Sequence, residues 1–252
     1  MTRNDFYRAL DARIPLALRE DWDNDGAMLM PNAEKQVKRI LCTLDVTDDV
    51  IDFAEKISAD LILSHHPLIF GGIKALNGGD PTSRRVLKLL GADIAVFSFH
   101  TRLDAMEGGI NDALAEALGL CSVEPMGEGE AALGRVGEFS SPMSFEDFCT
   151  LVKKVTDAPF VNACVKTDAV CRVAVVGGAG KDFIPYAEAA GADTYLSGSL
   201  AYHAMVDGEI NLVECGHYYS ERHAAYLLEK LAKTVLPEAE TKIYVPNSLR
   251  VY

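Results

Sequence analysis

The sequence predicts an α/β fold, and three observations carry that reading. Strand-length apolar runs alternate with helix-length amphipathic stretches along the chain, the pattern of mostly parallel strands with helices on the sheet faces. Several of the apolar runs end directly in histidine or glycine, as strands do when they feed a site at their carboxyl ends. A Gly-, Glu- and Ala-rich stretch at residues 123–133 (VEPMGEGEAAL) marks a boundary between two similar α/β halves. The 252 residues admit one large domain or two small ones, at ~100–200 residues each.

Each element follows from its local pattern. Residues 2–19 read as a helix with Phe6, Leu10, Ile14 and Leu18 on one face. A strand at 37–44 follows, and Thr47 is placed to cap the next helix, with Val50, Ile51, Phe53 and Ala54 inward. Residues 60–63 make a short buried strand, 81–90 a helix with Pro81 in its first turn, 93–99 an apolar strand and 109–118 a helix. Beyond the boundary, 134–139 is a strand and 144–155 a helix capped by Ser144. Strands at 160–165 and 172–176 precede a helix at 181–190 and a strand at 194–196. A helix at 200–206, a strand at 211–213, one long helix at 217–235 and a closing strand at 242–245 complete the order.

Composition narrows the function classes. Hydrophobic residues make up 49% and charged residues 24%, which is globular usage and excludes disorder, collagen and disulfide scaffolds. No apolar run approaches the ~18 residues of a membrane helix. The first residues, Met1 to Asp5, lack the apolar core of a signal peptide, so a cytoplasmic protein with no membrane partner is expected. The net charge of −13 and the absence of a basic face leave long nucleic acid without an electrostatic footprint. None of the six cysteines stands in a Cys-x-x-Cys pair, so reduced thiols are expected rather than a structural zinc site.

Three segments bring histidine near carboxylate. In the first, 60–67 (DLILSHHP), an apolar strand ends in His65 and His66. Adjacent strand residues point to opposite faces, but at a strand end before Pro67 the backbone can turn and two imidazoles can serve two ions; a hydrogen-bonded loop pair is the alternative. In the second, 96–104 (VFSFHTRLD), a strand runs into His100, with Asp104 four residues on. His100 suits a ligand, a supporting donor or a general acid–base; Asp104 is a hard oxygen ligand or else a helix cap before Gly108-Gly109. In the third, 214–221 (ECGHYYSE), His217 and Glu221 share one helix face, either around an ion or as a solvated pair at the helix start. Mixed His and carboxylate donors suit Zn, Mn, Fe, Co or Ni better than Ca.

Other features carry less. Residues 177–181 (GGAGK) lack both nucleotide-binding glycine patterns and read as a tight structural turn. Gly71-Gly72 and Gly78-Gly79 flank a loop that forms a lid or simple turns, His203 reads as core or as support for the site, and His223 reads as surface.

Together the residues resemble the Nif-three-like family, whose members are also called GTP cyclohydrolase 1 type 2 homologs. The matching segments are 22–26 (WDNDG), 59–70 (ADLILSHHPLIF), 100–104 (HTRLD), 108–112 (GGIND) and 216–221 (GHYYSE), in the family's order. The resemblance implies a fold of two similar α/β lobes with mostly parallel or mixed sheets and a dinuclear metal site between them. It implies a first lobe of residues 1–126 plus 236–252, a second of 127–235, and often a toroidal homohexamer. Carried over by motif, His65, His66, Asp104, His217 and Glu221 would be the metal ligands, with His100 beside them. The family's acidic residue before the helix leading to His203 is replaced here by Ser197-Gly198-Ser199.

The expected function is therefore hydrolysis by two divalent ions per chain. The cationic site would attract a small anionic, nucleotide-like substrate, with Glu221 or His100 relaying the proton. A non-catalytic metal-binding or regulatory homo-oligomer is the alternative, and phosphoester cleavage a third reading.

Overall fold

The computed structural model describes residues 1–127, 129 and 132–249. Glu128, Glu130 and Ala131 of the boundary stretch lie outside the described residues. The strands, in chain order, are β1 (Gly26–Leu29), β2 (Arg39–Thr43), β3 (Leu61–Ser64), β4 (Ala95–Ser98), β5 (Cys121–Met126), β6 (Gly134–Ser144), β7 (Asn162–Cys164), β8 (Ala169–Ala179), β9 (Thr194–Ser199), β10 (Asn211–Glu214) and β11 (Glu240–Ile243). Packing divides the chain into one unit of Met1–Leu103 with Arg222–Ser248 and a second built on Asp104–Glu221.

The first unit holds a five-stranded sheet in the order β1-β4-β3-β2-β11. β4, β3, β2 and β11 run parallel, and β1 closes one edge antiparallel to β4. Leu41, Ile62 and Val96 from three neighbouring strands meet Val50, Ile51, Ala54, Val86 and Leu89 of the helices Asp48–Lys56 and Pro81–Gly91. Period-2 alternation turns Ile40, Cys42, Leu61 and Leu63 to the opposite face, and all four are buried. The helix Ala224–Val235 packs on β2 and β3 there, against the helix Arg3–Asp11. The register aligns Thr43 with Ser64 and Ser64 with Ser98, so the chain leaves all three strands at one end.

The second unit holds a six-stranded mixed sheet, β5-β6-β8-β9-β10-β7, whose parallel centre is β8-β9-β10. Val173 and Val175 face a core with Leu114, Leu118, Phe145, Phe148 and Val152. Ala174 and Val176 face another with Ile184, Ala187, Tyr195 and Met205. Residues 177–179, 198–199 and 215–217 lie at the same end of the three central strands, since Val176 and Glu214 both align with Ser197.

Local chemistry sets the limits of these elements, and several differ from the sequence expectation. The first helix stops at Asp11 and not at 19, because Pro15 has no N–H and disfavours helix at the residue before it; Phe6, Leu10 and Ile14 are nevertheless buried. Thr47 stands at the cap position, but its hydroxyl donates to the Asp49 carboxylate and caps no backbone N–H. Ser144 does cap its helix, accepting from Asp147 N at 3.1 Å. The stretch at 123–133 begins as the edge strand β5. The two units of packing meet in the chain at residues 103 and 221. Helix Ile110–Leu118 packs on β6 and β8, and helix Ala224–Val235 on β2 and β3, so each follows the sheet it covers. The long helix at 217–235 is two helices, His217–Glu221 and Ala224–Val235. The first packs on β8 and β9 and the second on β2 and β3, and one straight helix cannot turn its buried face to two sheets. Among the described residues, no helix is long and apolar enough to cross a membrane.

Candidate metal centre

In the first unit, the shared strand end gathers three histidines. His65 and His66 follow β3, and His100 follows β4 by one residue more. Their ring centroids lie 4.9 Å (His65–His66), 5.1 Å (His65–His100) and 5.6 Å (His66–His100) apart. Each offers a ring nitrogen, and the three offered atoms lie within 4.8 Å of one another.

Their partners define the tautomers. His65 Nδ1 donates to the Phe99 carbonyl at 3.0 Å, His66 Nδ1 to Asp45 Oδ1 at 2.7 Å, and His100 Nδ1 to Asp23 Oδ1 at 2.8 Å. A carbonyl and an ionised carboxylate only accept, so each neutral imidazole carries its proton on Nδ1 and its lone pair on Nε2. That is the arrangement of metal-ligating histidines, whose second nitrogen is held by a backbone or carboxylate acceptor. The donor set therefore fits a borderline divalent ion.

The segment 22–26 builds much of this frame. Asp23, with a fully buried side chain, also accepts from Thr101 N at 3.1 Å and Thr101 Oγ1 at 2.7 Å. Burial alone would raise its carboxyl pKa; the hydrogen bond and charge of His100, with those from Thr101, outweigh that and hold it at about 2. Asn24 Nδ2 donates to the Ile69 carbonyl, tying this loop to the one after His66. Asp25 accepts from Arg102 Nε at 2.7 Å, and Arg102 Nη1 reaches Asp11 and the Ile14 carbonyl. Burial raises the Asp25 pKa more than Arg102 lowers it. Gly26, at φ +108°, brings the chain against Tyr7, whose hydroxyl would lie 2.8 Å from an added Cβ.

In the second unit, His217 Nε2 lies 2.9 Å from Glu221 Oε2 one helical turn away. Two donors each ~2.1 Å from one ion at roughly right angles lie about 3 Å apart, so the pair is spaced to share an ion. Glu221 is 3% exposed. The glycines near the end of β8 lie against it. An added Cβ on Gly178 would fall 2.2 Å from Glu221 Oε1, and one on Gly177 3.2 Å from Glu221 Cγ. Gly178 N donates to Ser220 Oγ at 3.0 Å, and Ser220 Oγ donates to the His217 carbonyl at 2.8 Å. Asp104, also buried, is fixed through Asn111, which donates to its carbonyl and accepts from Gly177 N at 2.7 Å.

The structure thus brings together His65, His66 and His100 in one unit, and His217 with Glu221 in the other, where Asp104 also lies. Asp23, Asp45 and Asn111 had no assigned role in the sequence reading. The only signals for them were the short motifs that contain Asp23 and Asn111. The segment 177–181 is not the expected tight turn: residues 177–179 continue β8 past an irregularity in its pairing with β9, and Lys181 opens a short 3-10 helix with its side chain in solvent beside Asp182. His203 is exposed against Tyr202, outside the core. His223 is half-buried because it stands at the N-cap of the helix Ala224–Val235.

Comparison with known proteins gives the family and the fold. The model of the family Duf34/NIF3 (NGG1p interacting factor 3) matches residues 1–248. The chain belongs to that family. A Clostridium perfringens relative named "GTP cyclohydrolase 1 type 2 homolog" is 33% identical over 230 residues, covering 88% of this chain and 87% of the relative. A Bacillus cereus protein related to NIF3 superposes with a TM-score of 0.87 at 23% identity, over 100% of this chain and 98% of its own, a likeness of fold. Reduced HcgD from Methanocaldococcus jannaschii superposes at 0.81 with 29% identity, over 96% and 97%. The family fold accounts for both units, one mostly parallel and one mixed.

Proposed function

We propose that the chain is a divalent-metal-dependent hydrolase acting on a small anionic, nucleotide-like substrate. The carrying observation is the three-histidine cluster, whose offered ring nitrogens lie within 4.8 Å of one another and in which every Nδ1 is held by an acceptor. In this reading His65, His66, Asp104, His217 and Glu221 together hold two ions, of Zn, Mn, Fe, Co or Ni. Ions there would supply Lewis acidity and an acidified water. Asp23, ionised near neutrality, orients His100 so that its Nε2 can take a proton from the attacking water and return it to the leaving group. Glu221 serves as ligand and second proton carrier. Two carboxylate ligands cancel half of the ions' charge, so an anion is drawn to the site despite the protein's net charge of −13.

The name of the Clostridium perfringens relative brings GTP into the set of substrates to try. A toroidal homohexamer in the cytoplasm belongs to the same proposal, and light scattering on the purified protein reads its mass. The deciding experiment pairs elemental mass spectrometry with hydrolysis of a nucleotide panel. Wild type should carry about two ions per chain and turn over at least one nucleotide, while His65→Ala and Glu221→Gln lose metal and turnover together. Full turnover by a metal-free variant would refute the mechanism, and two tightly held ions with no turnover would favour a metal-binding regulator.

A further inference from the structure

Beside the histidine cluster stand two large aromatic rings that the fold does not use. Trp22 is 61% exposed and Phe70 60% exposed. Their centroids lie 6.0 Å apart at 52°, too tilted to stack on one another. Both meet His100, Trp22 at 6.0 Å and 79°, Phe70 at 6.2 Å and 76°.

These rings are exposed but firmly mounted. Trp22 immediately precedes Asp23, whose carboxylate accepts three hydrogen bonds. Asn24 ties the same loop to Ile69, the residue before Phe70. Presenting apolar rings to water on a braced frame pre-organises a contact surface, since little side-chain or loop entropy remains to be lost on binding.

Size selects the occupant. A fully buried Trp or Phe covers about 150–250 Å², so the exposed parts of two rings offer roughly 250 Å². A stable protein interface needs about 800 Å² per partner. The surface suits one small planar ring and is too small to seat a second protein by itself.

We propose that Trp22 and Phe70 form a stacking subsite for a planar nitrogen heterocycle of nucleobase size. The inference rests on the hydrolase reading for its nucleotide substrate and assigns the base to the His100 side of the site. Aromatic stacking on a base is sequence-tolerant and affects affinity by about 5- to 100-fold, so the two rings select for a planar ring and not for one particular base.

Trp22 is the only tryptophan in the chain, so its fluorescence reports this subsite directly. Metal-loaded protein is titrated with guanosine monophosphate, adenosine monophosphate and ribose 5-phosphate. Binding is measured by fluorescence and by calorimetry, and metal content by elemental mass spectrometry. Both nucleotides should bind with quenching of Trp22, and ribose 5-phosphate should bind more weakly without it. Trp22→Leu and Phe70→Leu, followed by calorimetry, should each weaken nucleotide binding about 5- to 100-fold while ribose 5-phosphate affinity and metal content stay at wild-type levels. The proposal is overturned if nucleotides fail to bind, if they bind without quenching, or if the variants bind them unchanged. It is also overturned if emission shifts with protein concentration alone, which would mean that a second copy covers the rings. Quenching by nucleotides in a protein that holds no metal would keep the subsite and remove the hydrolase reading. Metal-dependent turnover with unaffected Trp22 and Phe70 variants would do the reverse.

Discussion

Gly178→Ala tests whether the glycine pair near the end of β8 positions Glu221. Gly178 sits at φ +66°, where an alanine costs roughly 1–2 kcal/mol. Its new Cβ would lie 2.2 Å from Glu221 Oε1, 3.0 Å from Glu221 Cδ and 3.3 Å from His217 Cε1. Non-bonded heavy atoms prefer about 3.5 Å, so the carboxylate oxygen must retreat by more than about 1 Å. The backbone cannot yield instead, because its N–H donates to Ser220 Oγ at 3.0 Å and its carbonyl accepts from Ser197 Oγ at 3.1 Å. The 2.9 Å approach of Glu221 to His217 is therefore lost. With the strain and the displaced buried carboxylate together, the expected cost is about 2–3 kcal/mol, or roughly 5–10 °C in Tm for a chain of this size. Zn²⁺ affinity should fall about 10-fold or more, as it does when the support of a ligand is disturbed. Gly177→Ala is the internal control. Its Cβ meets Glu221 Cγ at 3.2 Å without a positive φ, so its cost should stay below about 1 kcal/mol. Thermal unfolding and competition titration with a chromogenic chelator read both quantities. A Gly178→Ala protein with lowered Tm and undiminished Zn²⁺ affinity would refute the link between this glycine pair and the metal.

Asp23→Asn leaves one acceptor oxygen for the donors of His100 and Thr101, and should lower stability by about 2–3 kcal/mol in urea titrations. The same carboxyl predicts an acid dependence. Its folded pKa, about 2, lies below the ordinary 3.8, so its stabilisation is full above pH ~4 and is lost as pH falls through ~2, an effect of about 2 kcal/mol. The stability gap between wild type and Asp23→Asn should narrow over that window, and a constant gap would count against the assignment. Arg102→Met strands Asp25 in a site where both side chains are fully buried, and should cost about 3–5 kcal/mol by calorimetry; adding Asp25→Leu should recover much of it. Of the six thiols, exposed Cys121 should alkylate first under iodoacetamide and mass spectrometry, while Cys42 and Cys215 stay unmodified. Burial pushes both up, Cys215 to about 12, which withholds the reactive thiolate.

Much of the site was legible because its residues obey local rules. His65, His66 and His100 end apolar strands, and parallel strands deliver their ends to one side. His217 and Glu221 are one helical turn apart, a spacing visible in any sequence. The helix break at residues 222–223 was not legible, since apolar periodicity runs on through 217–235, and only the sheets show that the two parts pack on different partners. Strand β1 is four residues long and pairs at an edge, too short for alternation to stand out from the motif before it. Asp23 supports His100 across a separation of 77 residues, and no periodicity relates such positions.

The choice of support for each imidazole follows from burial. His65 is fully buried and donates to a neutral carbonyl, where an additional carboxylate would have to lose its hydration without recovering it. His66 and His100 keep 22% and 15% of their side chains exposed and donate to carboxylates. Asp45 is half-exposed and remains hydrated. Asp23 is not, and it tolerates burial because three donors replace its water. Negative charge is thereby placed behind two of the three rings. A histidine pair in a sequence can name the ligands, but the acceptors that decide which nitrogen is offered come from Asp23, Asp45 and Phe99, on three separate segments. Any rearrangement that loses those acceptors would leave the same three histidines in place and remove their fitness for a metal.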